Sequence, residues 1–452
     1  MSARDRERAD AVYDALLGRA GEQWVQPRVE RTRRILELLA DPQRTYRVVH
    51  ITGTNGKTST ARIVESLVRA HGLRTGLFTS PHLTRFTERI LIDGEPISDA
   101  AVADAWDEIA PFVTLVDAEL AAEGDASLTF FELLTVLAFV ACADAPVDVL
   151  VLEVGMGGSW DSTNTADGDV AVFAPIDVDH VNRLGATVPE IAEVKAGIIK
   201  QGAAVVSAAQ RPEVEAIIRR VAAERNATAV FEGQDFALTD DRLAVGGQLI
   251  SVRGLAGAYD EEYLPLYGRH QGENAALAIA AVEALIGAGA QRIAGSVLTD
   301  GLQQVTSPGR LQLVGVEPTV LVDAAHNPHG ARALAAALRE AFDFDEWGVV
   351  LGVLSDKDAA GIVAELSPVA THVFATAPAS DRGGDPDRLA DLVEAAGLRV
   401  TVHPGIDDAA DAARDWARSG ERRAVVVAGS VVLAGEAVVL AEEEEWKPVG
   451  ER

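Results

Sequence analysis

The sequence predicts an α/β protein of two domains, each a parallel sheet with crossover helices. Three observations predict it. Short β-branched runs at 46–52, 147–154, 170–176 and 203–207 alternate with longer alanine- and leucine-rich stretches of helical spacing, and strands that alternate with helices pair in parallel through right-handed crossovers. A glycine-rich turn, Gly-Thr-Asn-Gly-Lys-Thr-Ser at 53–59, lies between the first apolar run and the helical run 61–71. The rhythm stops over 301–310, whose Gln-Gln and Thr-Ser-Pro-Gly stretches have the composition of a linker, and restarts with apolar runs at 319–323, 349–354, 372–375 and 424–428.

The first domain is expected to span 1–305 and the smaller second one 306–452. A length of 452 residues with 48% hydrophobic and 24% charged content is that of a globular chain with room for two cores. Within the first domain, 231–263 departs from the alternation: 243–252 alternates around Gly246 and Gly247, which predicts a small β insertion with a hairpin at the domain edge. A helix follows at 272–288. In the second domain a helix is expected at 330–342, and the longest apolar stretch, 424–441, is interrupted by Gly429, Gly435 and Glu436. That pattern reads as strand, loop and helix, so no membrane span is expected.

Charge and cysteine usage narrow the function. Sixty-nine acidic against 40 basic side chains give a formal net charge of −29, which excludes a basic polyanion-binding surface and so a nucleic-acid partner. Cys142 is the single cysteine and lies in an apolar run, so neither an internal disulfide nor a thiolate metal cluster can be built. Residues 1–10 alternate in charge without an apolar core, so a secretory signal is not expected and the chain is read as cytoplasmic. In so acidic a protein a phosphate must be met by a local cradle of amides, lysine and metal.

Residues 53–59 have the makings of that cradle. Gly53, Thr54, Asn55 and Gly56 let successive amides turn toward a phosphate at a helix N-terminus, Lys57 neutralises its charge, and a hydroxyl of Thr58 or Ser59 reaches magnesium. The standard pattern has a further glycine where this chain has Ile51. There is no Asn-Lys-x-Asp for guanine and no kinase signature set, so adenine is the expected base. Two more clusters end apolar strands, where open α/β sheets bind ligands. One is Glu153 with Gly155, Gly157, Gly158 and then Asp161-Ser162-Thr163-Asn164, which suits a magnesium ligand, with a capped buried glutamate as the alternative. The other is Asp177-Val178-Asp179-His180, followed by Lys195 on the next helical stretch.

Together these segments resemble the Mur ligase superfamily and, within it, the folylpolyglutamate synthase and dihydrofolate synthase family of the bacterial bifunctional type. The resemblance runs from about 28 to 440. Its most specific part is Phe-Thr-Ser-Pro-His-Leu at 78–83 with Arg-Phe-Thr-Glu-Arg-Ile at 85–90, similar to the family's folate-binding loop. Further matches are Thr129-Phe130-Phe131-Glu132, Gly268-Arg269-His270-Gln271 with Asn274, Ser307-Pro308-Gly309-Arg310-Leu311, Asp323-Ala324-Ala325-His326-Asn327-Pro328, Ser355-Asp356-Lys357-Asp358 and Gly429-Ser430.

The resemblance implies a P-loop ATP-binding domain followed by a Rossmann-like domain. It implies ATP-dependent amide formation: the γ-phosphoryl passes to a carboxylate and L-glutamate attacks the acyl phosphate. By resemblance Ser80, Glu153 and His180 hold two magnesium ions, Lys195 is the lysine that becomes carbamylated and joins that metal shell, and residues 53–59 hold ATP with Asn274, Arg310 and Asp323. Pro81, His82, Arg89, Asp161, His326 and Ser430 are implied for folate or glutamate, with Lys57, Lys195 and His326 closest to the chemistry. Glu88 and Glu132 are left between structural and substrate roles. Acceptors are dihydropteroate, reduced folates or both, and one chain carries the whole site, so a monomer is expected. Two departures stand out: Ser159 occupies a position where many members have arginine, and Thr58 one where glycine is usual. The competing readings are a polyglutamate synthase alone, a cell-wall ligase, which predicts about a hundred residues before the phosphate loop where this sequence has 52, and a non-catalytic nucleotide-binding relative.

Overall fold

The computed structural model of the chain describes residues 3–21, 27–178 and 181–446. Its first body is an eight-stranded sheet. The strands are β1 (Arg47–Thr52), β2 (Thr75–Phe78), β3 (Ile90–Ile92), β4 (Glu95–Pro96), β5 (Val149–Glu153), β6 (Val170–Phe173), β7 (Ala204–Ser207) and β8 (Thr228–Phe231), in the spatial order β4-β3-β2-β5-β1-β6-β7-β8. Six of them pair in parallel, and only β3 runs the other way, antiparallel to both β2 and β4. Every residue of β5 is buried, as a strand covered by helices on both faces must be. With β1 between β5 and β6, the chain leaves the centre in opposite directions, and the crevice at the carboxyl ends of these strands is where such sheets bind ligands.

Helices Lys57–Ala70 and Arg269–Gly287 pack together and cover one face, sharing a core with the sheet through Ile63, Leu67, Val151, Ala276 and Ile279. The other face is closed by Phe130–Asp144 and the 25-residue helix Asp99–Glu123. The first of these starts in a capping box: the Glu132 amide donates to Thr129 Oγ1 at 3.4 Å and the Thr129 amide to Glu132 Oε2 at 2.7 Å. Arg28 clamps the same carboxylate with Nε and Nη2 at 3.0 and 2.9 Å. Glu132 thus has a structural role.

The insertion is a three-stranded antiparallel sheet of β9 (Ala237–Ala244), β10 (Gly247–Arg253) and β11 (Ala258–Leu264). The hairpin turns at Val245 and Gly246, as its alternation suggests. Its apolar face, Leu238 and Ile250, packs on the helix Arg269–Gly287 at Gly272. The 301–310 stretch differs too: 301–303 finish the helix Gly295–Gln303, because a glycine at 301 lets that helix press against Leu67.

The second body is a six-stranded sheet of β12 (Gln312–Gly315), β13 (Val320–Val322), β14 (Glu346–Leu351), β15 (Ala370–Ala375), β16 (Arg399–Val402) and β17 (Arg423–Ala428), ordered β12-β13-β17-β14-β15-β16 and parallel except for β12. The stretch 424–441 is strand, short loop and the helix Val431–Glu443, and among the described residues no helix is long and apolar enough to cross a membrane.

Candidate active site

Four segments converge at the carboxyl ends of the central strands. β1 runs into the phosphate loop, β2 into Thr79-Ser80-Pro81, β5 ends at Glu153, and β6 leads to Asp177. Gly56 precedes the helix Lys57–Ala70 at φ +83°, a conformation that glycine adopts without strain. A Cβ there would also lie 2.6 Å from Asn274 Oδ1. The loop's side chains are ordered from several directions. Thr54 Oγ1 donates to the Asp177 carbonyl at 2.9 Å and accepts the Asp177 amide at 3.0 Å, Lys57 Nζ donates to the Thr54 carbonyl at 3.2 Å, and buried Lys195 donates to the Gly53 carbonyl at 2.7 Å. Ser59 exchanges a hydrogen bond with Ser307 at 3.1 Å and accepts one from Gln271 at 3.3 Å; Gln271 in turn accepts from Asn274 at 3.1 Å.

Glu153 is 1% exposed and both its oxygens lie 3.0 Å from the Thr58 hydroxyl, with the Ser80 amide at 3.4 Å. Burial pushes its carboxyl up from the ordinary glutamate range; Lys57, Thr58, the Ser80 amide and Arg310 pull it back. A charged carboxylate in such a place calls for a cation. The oxygens of Glu153, Thr58 and Ser80 are hard donors of the kind magnesium takes, along with water and phosphate oxygens. Among the described residues no three His, Cys, Asp or Glu side chains gather to hold a metal unaided, and Asp179 and His180 lie outside the described residues.

The second domain reaches the loop from across the cleft. Asn55 Nδ2 lies 2.9 Å from His329 Nδ1, and Asn327 Nδ2 donates to Asn55 Oδ1 at 3.1 Å. Asn55 therefore faces the other domain. Asp323, at the end of β13, accepts the amides of Leu311 and Ala325, each at 2.9 Å; burial raises its carboxyl, with Arg310 and those amides acting against it. Arg310 donates to the Gly309 carbonyl at 3.2 Å. The 78–90 loop docks between the domains, where a Cβ on Gly435 would stand 2.0 Å from the Leu83 carbonyl oxygen. Glu88 ties that loop, taking the amides of Leu83 and Arg85 at 2.8 Å and the Thr84 hydroxyl. Burial opposes its charge, but these hydrogen bonds outweigh it and hold the carboxyl below the usual range.

One small cavity is lined jointly by Thr58, Pro81, His82 and Arg310, together with Arg62 and Ala324. It unites the phosphate, folate-loop and second-domain residues that the sequence singles out. Other expected site residues are placed differently. Arg89 is buried, donating to His82 Nδ1 at 2.8 Å with its guanidinium 5.3 Å from the Phe130 ring centre. His326 Nδ1 meets the Ala324 carbonyl at 3.0 Å. Asp161 is buried within its own loop, accepting the Met156 amide at 2.9 Å and the Thr163 amide and hydroxyl at 3.0 and 2.5 Å. Ser430 is fully buried and caps the helix Val431–Glu443, accepting the Leu433 amide at 3.0 Å. Both side chains are thus occupied by the backbone around them. Arg62 and His329 were not read from the sequence; Arg62 follows Thr58 by one helical turn, and that spacing was the available signal.

Residues 51–282 match the Mur ligase middle domain and residues 309–431 the Mur ligase glutamate ligase domain. A dihydrofolate synthase/folylpolyglutamate synthase of Mycobacterium tuberculosis is 45% identical over 442 residues, covering 93% of this chain and 91% of that protein. The chain belongs to the dihydrofolate synthase/folylpolyglutamate synthase family of the Mur ligase superfamily. A relative of the same name from Bacillus subtilis is 35% identical over 76% of this chain and 80% of its own. Among solved structures, this ligase is similar to Mycobacterium tuberculosis folylpolyglutamate synthase complexed with ADP, with TM-score 0.92 and 42% identity over 97% of this chain and 99% of that one. It is also similar to Escherichia coli FolC in complex with DHPP and ADP, with TM-score 0.82 and 29% identity over 96% and 98% of the two chains. The protein is an ATP-dependent amide ligase, as members of this family are.

Proposed function

We propose that the protein adds L-glutamate both to dihydropteroate and to the γ-carboxyl of reduced folates, each time through an acyl phosphate, with ADP and phosphate released. The observation that carries this is the single cavity shared by Thr58 of the phosphate loop, Pro81 and His82 of the folate-loop segment, and Arg310 of the second domain. A carboxylate is a poor electrophile until phosphorylated, and the phosphoryl donor and the acceptor must meet with water kept out. The names of the relatives and the ADP- and DHPP-bound structures support the reading.

In this reading the amides of 53–58 and Lys57 hold the ATP phosphates, Lys57 exchanging its bond to the Thr54 carbonyl for phosphate oxygens. Arg310 offers a cationic fork to the same oxygens, and Asn274 and Asp323 meet the nucleotide. Bound magnesium, held through Glu153, Thr58 or Ser80 and His180, would neutralise charge on the phosphates and the reacting carboxylate. Lys195 stands next to the loop as an amine in contact with Gly53, and its carbamylation would turn that cation into an anion able to face the metal. Domains 1–305 and 306–452 close through the contacts of Asn55 with Asn327 and His329, which excludes water from the acyl phosphate. His326 and Arg89 are the remaining candidates for glutamate, and the protein is read as a cytoplasmic monomer.

The test incubates purified protein with ATP, magnesium and labelled glutamate, offering dihydropteroate in one reaction and tetrahydrofolate in another. Label in both products is expected. Label with tetrahydrofolate alone reduces the function to polyglutamate synthesis, and label with neither overturns the acceptor class. Intact-mass and peptide analysis at neutral pH, looking for 44 mass units (roughly one CO2) on Lys195, tests the carbamate.

A further inference from the structure

Arg62 lines the cavity between the phosphate loop and the folate-loop segment, and among the described residues no hydrogen bond or ion pair holds its guanidinium. It lies on the helix Lys57–Ala70, one turn beyond Thr58, so both side chains sit on the same helix face. It is half-buried, and among the described residues it makes neither a hydrogen bond nor an ion pair. Burial pulls its guanidinium down from its ordinary value, against the pull of Glu88, Glu153 and Glu65; it stays charged at any working pH.

All three of those carboxylates are engaged elsewhere. Glu65 takes Arg69 Nε at 2.9 Å and the Thr75 hydroxyl at 2.6 Å. Glu88 holds the amides of Leu83 and Arg85, and Glu153 accepts the Thr58 hydroxyl. A guanidinium that is partly desolvated and left without an acceptor is costly, and it persists where an anion is to be bound. Arg310 lines the same cavity from the second domain, and among the described residues its guanidinium donates only to the carbonyl of its neighbour Gly309. Two forked cations thus face one small space beside Thr58; Glu88 lines it too, but its oxygens are taken up by the amides and the hydroxyl of its own loop.

We propose that Arg62, with Arg310 opposite, binds the phosphoryl group in transit from ATP to the acceptor carboxylate. The identity of that anion rests on the ligase reading above. In the first step the bond between the γ-phosphorus and the oxygen bridging to ADP breaks, and a bond from a carboxylate oxygen to that phosphorus forms. In the second, the glutamate nitrogen bonds to the acyl carbon, the carbon–oxygen bond to phosphate breaks, and the nitrogen's proton passes to the departing phosphate. The group stays anionic throughout, with its charge spread over three oxygens, and a cavity lined by a fork from the phosphate-loop helix and a fork from the second domain suits it.

The experiment compares the full-length wild type with Arg62→Gln and Arg62→Lys. Calorimetry measures ADP binding in magnesium, then the binding of inorganic phosphate to the ADP-saturated protein; turnover measures kcat and the KM for ATP. Arg62→Gln is expected to weaken phosphate by about tenfold or more and to lower kcat by about a hundredfold, the range for loss of one charge-bearing donor, with ADP affinity and the KM for ATP changed less than about twofold. Arg62→Lys is expected to recover part of both losses, since it keeps the charge without the fork. Phosphate affinity equal to wild type in either variant overturns the proposal, and so does a parallel loss of ADP, which would make Arg62 a nucleotide contact. If Arg62→Gln does not fold, as judged by its thermal midpoint, the lysine variant still decides. The phosphate titration needs neither folate nor glutamate. An inactive wild type whose phosphate binding depends on Arg62 would therefore refute the acceptor assignment alone, and an active wild type whose phosphate binding ignores Arg62 would refute this inference alone.

Discussion

Glu153 and Asp323 each end a buried parallel strand, one in each domain, and burial raises both carboxyls, yet they are engaged differently. Glu153 meets a side-chain hydroxyl, Thr58, and the long 3.4 Å contact of the Ser80 amide, groups that can turn to a cation and its phosphates. Asp323 is gripped by two backbone amides at 2.9 Å, those of Leu311 and Ala325, which fix the path of its own loops. The same asymmetry extends outward. Thr58 and Arg62 of the first domain line the cavity, joined from the second by Arg310, whereas Asn327 and Ser430 of the second cap helices. The comparison teaches that the first domain supplies most of the charge for the chemistry and that the second, Arg310 apart, supplies position and closure.

The most direct way to break that division is at Lys57. Lys57→Ala should lower kcat by about a thousandfold or more, because a charge facing transferring phosphate in a site closed to water has no substitute. Steady-state kinetics with a thermal melt decide it; turnover within tenfold of wild type would place the phosphate elsewhere. On the second domain's side the expected effect is smaller and of another kind. Gly435→Ala puts a methyl 2.0 Å from the Leu83 carbonyl oxygen, so the loop must move. We expect a stability loss of about 1–3 kcal/mol and a raised KM for the acceptor, with nucleotide affinity unchanged. Equal stability and KM would show that the loop does not depend on this contact.

The first domain was the more legible of the two in the sequence, for a physical reason. The phosphate loop, Glu153 and the 78–83 segment are local strings, each following a strand of strong β-branched pattern, so their order along the chain also fixes their place at one sheet edge. What was not legible depends on groups brought together from afar. Asp161 is a polar residue in a suggestive motif, and only the structure shows that nearby backbone amides occupy it. Arg62 lay inside a helical run and carried no motif. The helical start of the expected linker was missed because Gly301 acts as a close-approach site for Leu67, which composition reads as a break.

Histidines sharpen the comparison through pH. His50 lies in the first domain's central strand, with Nε2 2.9 Å from Thr163 Oγ1; burial and then Lys200 lower it to about 3. His270 starts the helix facing the second domain; burial, Arg310 and His329 lower it to about 4. Both are neutral in the folded state, while the unfolded chain takes up a proton at about 6.5. The unfolded state therefore binds more protons below that value, and the stability each neutral histidine contributes is lost as pH falls from about 6.5 toward those lowered values, by up to about 1.4 kcal/mol per unit and histidine. Urea unfolding at pH 7.0 and 5.5 measures the slope. His270→Asn should flatten it by about one histidine's share; an unchanged slope would mean that His270 is protonated freely in the folded protein.

The smallest expected effect falls on Ser430, and it separates a position-giving second domain from a substrate-binding one. Its hydroxyl is fully buried and accepts the Leu433 amide at 3.0 Å, the contact of an N-cap. Ser430→Ala removes one acceptor from the first turn of the helix Val431–Glu443, a loss of about 1 kcal/mol. That helix also carries Gly435, against which the folate-loop segment rests, so a frayed first turn should raise the acceptor KM slightly while leaving the glutamate KM within about twofold. Denaturant unfolding and steady-state kinetics on one preparation settle the matter. A tenfold rise in the glutamate KM at wild-type stability would show that the hydroxyl leaves its cap to meet substrate, and the second domain would then bring a second group to the chemistry beside Arg310.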